Sequence, residues 1–254
     1  MKSLAFSLLF TVASVPIIVL PQSNSPQSPV EIRGEPRHHP RFENEFVRIW
    51  DVTVPAGDAT LWHVHRNDNV VITLGDARLR IESLGSEPVE GEWKFGQVRF
   101  SKATYVHRAM NIGTTPFHNF TIELLKSPFP GSEAGTAGIG PPMYPQKPRG
   151  PRLSDRLQQL EKRTDRQPVI DNDKVRVYRV SLAPGESTGM HTHLLPGLGI
   201  VITTAKVEVT TKGKDKPDHL QLPAGDLRWR AGAVTHSIKN VGRTRFEAVD
   251  IELK

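Results

Sequence analysis

The chain has 254 residues, a formal net charge of +6, 20 glycines, 21 prolines and no cysteine. Without cysteine there are no disulfides, thiolate metal ligands, cysteine nucleophiles or lipid attachment through an N-terminal Cys. The basic residues are dispersed and form no nucleic-acid module, so nucleic acid is not an expected partner, while the length allows one large domain or two of ordinary size.

Residues 1–29 open with Lys2, an apolar run from Leu4 to Leu20 and a polar Pro/Ser/Gln exit from Pro21 to Pro29. One basic residue, an apolar core and a polar exit is the layout of a secretory signal, so the protein is expected to be exported, periplasmic or secreted. The rival is an uncleaved anchor, through which alone the chain would touch a membrane. Residues 30 to 41 read as an irregular lead-in, with His38 and His39 as a surface pair beside Pro40.

From Phe42 to Lys126 a first copy of a strand-rich unit is expected. Phe46–Val54, Val70–Leu74, Ala77–Ser83, Gly96–Phe100, Thr104–Ala109 and Phe117–Leu125 all read as short strands separated by turn signals. Between the first two lies Gly57-Asp58-Ala59-Thr60-Leu61-Trp62-His63-Val64-His65. On a strand, residues i and i+2 point to one face, so His63 and His65 present two imidazoles to one space. A third donor must come from elsewhere; His107, with Asn111 four residues on, is the candidate. Trp62 has the opposite parity and is assigned to packing.

Residues 127–168 form a Pro/Gly-rich connector, with a short helix expected over Asp155 to Arg163 after Ser154. The pattern then repeats from Val169 to Lys254. His191 and His193 follow His63 and His65 at an offset of 128, and His236 with Asn240 follows His107 with Asn111 at 129. Asn44, Val47, Arg48 and Gly57 map onto Asn172, Val175, Arg176 and Gly185. An internal repeat this long means two copies of one domain rather than a solenoid. The expected division is 1–29 signal-like segment, 30–126 domain 1, 127–168 connector and 169–254 domain 2.

These residues resemble the cupin superfamily, and two copies resemble a bicupin. Gly57, His63, His65 and, near its place, Gly75 match the first cupin motif, Gly-x5-His-x-His-x3/4-Glu-x6-Gly. Gly96, His107 and Asn111 match the second, with Lys102 and Thr104 where Pro and Gly are usual. In the second copy Gly185, His191, His193, Gly225, His236 and Asn240 match, with Ala231 and Ala233 replacing Pro and Gly. The resemblance implies an all-β chain of two tandem jelly-roll barrels, each holding a metal by three histidines and a glutamate. The glutamate is missing: Asn69 takes its place beside Asp68 in the first copy, and Gly197 or Leu198 in the second.

Two three-histidine sites are therefore expected: His63, His65 and His107, and His191, His193 and His236. Asp68 and Asn69 are candidates for the catalytic or outer role. Three imidazoles suit Fe, Zn, Cu, Ni, Co or Mn without choosing among them, and leave positions open. Arg99 and Arg228 are each either an anion-facing residue or an exposed strand arginine. The insert Leu194-Leu195-Pro196-Gly197-Leu198 is apolar, so the second site is expected to lack an acid or base, and the first to be better equipped for proton transfer. The functional expectation is a metal-dependent enzyme of oxygenase, isomerase or lyase type acting on a small organic molecule. The alternative is an exported, non-enzymatic cupin that binds a small ligand or a metal. A homodimer is kept as a possible assembly.

Overall fold

The computed structural model describes residues 28–129 and 168–254. The signal-like run and nearly all of the connector, including the expected helix over Asp155 to Arg163, lie outside the described residues. The first half contains β1 (Val30–Glu31), a 3-10 turn (Ile32–Gly34), β2 (His38–Glu43), β3 (Val47–Val54), β4 (His63–His65), β5 (Asn69–Thr73), β6 (Ala77–Ser83), β7 (Val89–Trp93), β8 (Val98–Ser101), β9 (Tyr105–Asn111) and β10 (Phe117–Leu124). The second contains β11 (Ile170–Asp171), β12 (Val175–Leu182), β13 (His191–His193), β14 (Gly197–Val201), β15 (Ala205–Thr211), β16 (Asp218–Leu222), β17 (Leu227–Arg230), β18 (Val234–Asn240) and β19 (Phe246–Leu253).

Each half makes two sheets. In the first half the orders are β1-β4-β9-β6-β7 and β2-β3-β10-β5-β8; in the second they are β13-β18-β15-β16 and β11-β12-β19-β14-β17. Crossovers of this kind, with neighbours far apart in sequence, are the jelly-roll arrangement. The glycines of the first motif do the same work twice: Gly57 and Gly185 sit at φ 75 and φ 82, a left-handed turn that L side chains rarely adopt.

Strand alternation explains how the halves meet. On β3, Val47 and Ile49 face one way and Trp50, Val52 and Val54 the other. On β10, Phe120 and Ile122 share the first face, while Phe117 shares the second. The outward residues form one core with Val175, Val177, Leu198, Ile200, Val249, Ile251 and Leu253 of the second half. Phe46 stacks on Trp229 across this junction, with ring centroids 5.7 Å apart. The sheets β2-β3-β10-β5-β8 and β11-β12-β19-β14-β17 thus pack back to back, and each has apolar residues on both faces.

The lead-in is a correction. Residues 30 to 41 are not irregular: they supply β1, which pairs parallel with β4, and β2, which pairs antiparallel with β3 through an irregularity between Pro40 and Phe42. The hairpin strand β7 was also missed, since its exposed Val89, Glu90 and Glu92 give little alternation of hydrophobicity.

Candidate metal centre and ligand cavity

β4 is only three residues long, yet it places His63 and His65 on one face, and its partner β9 sets His107 directly opposite His63. The three Nε2 atoms converge: His63 to His65, His65 to His107 and His107 to His63 are each 3.1 Å. The second half repeats this. β13 pairs with β18 so that His191 faces His236, and Nε2 of His193 lies 3.2 Å from Nε2 of both His191 and His236.

Hydrogen bonds fix the tautomers of three of these rings. His63 donates from Nδ1 to the Leu61 carbonyl at 2.9 Å, and His191 from Nδ1 to the Gly189 carbonyl at 2.9 Å. His193 donates from Nδ1 to Oε1 of Glu252 at 2.9 Å. A neutral imidazole that donates from Nδ1 leaves Nε2 as a bare lone pair. As neutral rings, His191 and His193 would aim two lone pairs at each other across 3.2 Å, an arrangement that suits a cation between them.

Spacing gives a second test of fit. With bonds of about 2.1 Å, ligands on a tetrahedral ion stand about 3.4 Å apart and those on an octahedral face about 3.0 Å apart. The observed 3.1 Å lies between these two spacings, so the three Nε2 atoms would fit around a single ion. Burial favours the neutral form of His63, His65, His107 and His236, the form that ligation requires. Desolvation pushes His63 down to about 4 and His107 down to about 3, lowers His65 further still, and takes His236 down to about 3.

The first triad opens into a cavity of about 660 Å³, within the range of small-molecule pockets. Val52, Val54, Leu79, Ile81, Trp93 and Phe117 make its apolar walls; Asn119, Thr121, Ser101 and Tyr105 add polar groups. Tyr105 stacks on His65 with ring planes 12° apart. Arg99 lines the cavity with its guanidinium 4.3 Å from the Trp93 ring centre, and makes no ion pair among the described residues. Arg228, its counterpart, is paired with Asp226 at 2.9 Å. Thr104, at the motif's usual glycine, takes φ 67 and donates its amide to the His65 carbonyl at 2.8 Å. A β-branched residue held there stores about 1–3 kcal/mol of strain beside the site.

His38 is another correction. It is buried, not a surface residue, and it lines the cavity; only His39 is exposed. Its Nδ1 lies 2.5 Å from Oε2 of Glu35, a fully enclosed carboxylate that also accepts the Leu61 and Arg37 amides. Its ring stands 4.8 Å from that of His63, and His38, His63 and His65 offer donor atoms within 4.8 Å of one another. The pull of β2 against β3, which sets His38 opposite the buried Val52, turns the ring inward.

The structure does not bring Asp68 to the triad: its Oδ1 accepts the Ala103 amide at 2.7 Å, outside the cavity. Asn69 is completely buried and donates to the Tyr105 hydroxyl at 3.1 Å, so it touches the site only through that ring. The expectation that the second site lacks acidic groups is overturned. Asp250 and Glu252 of β19 stand behind His193, at 3.5 and 2.9 Å from its Nδ1. The apolar insert does not wall the site alone; Leu198 belongs to the core between the halves.

No family model and no curated protein matches the chain. Solved structures do. AerE from Microcystis aeruginosa aligns at 13% identity over 87% of this chain and 98% of its own, with a TM-score of 0.53. A mutant of Bacillus subtilis oxalate decarboxylase OxdC aligns at 13% identity over 85% and 74%, with a TM-score of 0.51. Salicylate 1,2-dioxygenase from Pseudoaminobacter salicylatoxidans, as a mutant in complex with gentisate, aligns at 13% identity over 89% and 76%, with a TM-score of 0.53. At such identities the likeness is one of fold, and it runs through both halves. In fold, then, the chain is similar to these proteins along most of its length, with two tandem jelly-roll halves.

Proposed function

We propose that the first half is a metal-dependent enzyme site acting on a small organic acid. The observation that carries this reading is the tripod of His63, His65 and His107, with Nε2 atoms 3.1 Å apart, at the wall of a cavity large enough for a small molecule. These three residues would hold the ion. A divalent transition ion there would polarise a ligand oxygen or, if redox-active, support oxidation. Related folds lend support: one neighbour is described by its Mn(II) centres and another was solved with gentisate.

The chain's own residues account for the rest of the binding. Arg99 at the cavity edge is a cation without a counter-ion among the described residues, suited to a carboxylate. The apolar walls exclude water from the ligand body, and Asn119, Ser101 and Thr121 offer hydrogen bonds that fix its orientation. His38, steered by Glu35, presents its free edge to the same space. Export from the cytoplasm is part of the proposal and rests on Lys2, the apolar run and the polar exit.

A specific observation favours a second reading, a binding protein without turnover. No carboxylate lines the first cavity, and neither half has one at the position of the usual cupin glutamate. Two measurements separate the readings. Protein purified without added metal is analysed for bound elements, and then screened against small carboxylic acids in air and under nitrogen. Turnover that is lost in His65→Ala, with the protein still folded, supports the enzyme. Metal or ligand binding without turnover supports the alternative.

A further inference from the structure

We propose that the second half holds a structural metal ion, bound more tightly than the ion of the first half and closed to substrate. This inference rests on the metal reading above. It starts from one difference between equivalent residues. Glu123 and Glu252 occupy the same register, opposite Asn69 and Gly197. In the first half Glu123 is drawn away from the histidines: Oε2 accepts from Trp50 Nε1 at 2.8 Å and from Arg48 at 3.1 Å, and Oε1 accepts from Asn67. His65 Nδ1 is left buried without a hydrogen bond. In the second half Glu252 instead accepts a hydrogen bond from Nδ1 of His193, and its other oxygen stays buried and unpartnered. A carboxylate behind a ligating histidine fixes the ring, makes Nε2 a stronger donor, and is worth about 10–100-fold in metal affinity.

The space in front of the triad differs as well. Where the first half has Ser101, the second has Arg230, as the pairings with Asn69 and Gly197 show. Arg230 bonds to both carboxylate oxygens of Asp250 at 3.1 Å, and each side chain is 13% exposed. This pair offsets the guanidinium charge beside the triad, and it puts larger side chains at the registers of Ser101 and Thr121, both of which line the first cavity. Only glycine fits beside it, because a Cβ on Gly197 would stand 2.6 Å from the Arg230 guanidinium and 2.2 Å from the Ile251 carbonyl. The second half thus combines a stronger donor set with bulkier side chains beside it, and the first half a weaker donor set with an open cavity.

The test uses the full chain with one triad silenced at a time, His65→Ala or His193→Ala, with His107→Ala and His236→Ala as alternates should either fail to fold. Each is loaded with Co(II) and titrated with a chelator, and azide is added to probe access. The expected result is that the protein retaining the second triad keeps Co(II) at about 10–100-fold higher chelator concentration. Glu252→Gln in that background should remove most of this advantage, and azide should shift the visible spectrum of the first site alone. Equal or tighter binding at the first site, no effect of Glu252→Gln, or azide entry at the second site overturns the inference while leaving the metal reading intact. No Co(II) binding by either variant, with both folded, overturns both.

Discussion

Asn111→Ala should destabilise the protein by about 3 kcal/mol. The Asn111 side chain is 1% exposed and makes three hydrogen bonds: Nδ2 donates to the Val54 carbonyl at 2.9 Å and the Thr115 carbonyl at 2.8 Å, and Oδ1 accepts the Gly113 amide at 3.1 Å. These bonds tie the end of β9, the strand that carries His107, to the end of β3 and to the turn before β10. Truncation leaves three backbone groups without partners, at about 1 kcal/mol each. For a chain of this size that corresponds to a fall in Tm of about 6–12 °C. Asn240 repeats the geometry with the Leu182 and Thr244 carbonyls and the Gly242 amide, so Asn240→Ala should cost a similar amount. The assay is urea unfolding, with a lower midpoint and an unchanged slope expected. A midpoint shift worth less than about 0.5 kcal/mol, the size of an ordinary surface substitution, would refute the bookkeeping.

Other expectations follow from the site. The metal-free protein should lose stability as the pH falls below about 6.5, because the unfolded chain takes up protons that the buried His63, held down at about 4, refuses. Between pH 7 and pH 5 that ring alone accounts for about 2 kcal/mol; a urea midpoint independent of pH across this range would contradict it. Glu35→Gln removes the charge that anchors His38 Nδ1, and should loosen His38 with a stability loss of about 1–3 kcal/mol, read as a lower Tm. An unchanged Tm would show that the pair bears no weight. Fractionation should find the protein outside the cytoplasm; full-length protein with Met1 retained in the cytosol would remove the export proposal.

The histidine triads were legible because period-2 alternation is rigid: His63 and His65 share one face of β4, and Val64 takes the other. The repeat made the third histidine readable as well. The acidic groups of the second half were not, although parity held the clue. On β19, Val249, Ile251 and Leu253 share one face, so Asp250 and Glu252 must share the other, toward the triad. That apolar face packs into the core between the two halves. His38 was misread for a different reason. Two adjacent histidines beside a proline look like a loop, and the partner that buries His38 lies in β3, an edge pairing that local sequence does not announce. The cavity was invisible for the same reason, since its walls come from both sheets of the first half.

The central claim is that three imidazoles of the first half hold a metal ion at the wall of a ligand cavity. Anomalous diffraction at the absorption edge of the bound element, from crystals of protein purified without added metal, tests it most directly. The account predicts a peak about 2.0–2.2 Å from Nε2 of His63, His65 and His107, on the side facing the cavity. A crystal of folded protein with a peak at the second triad alone, or at neither, would contradict it.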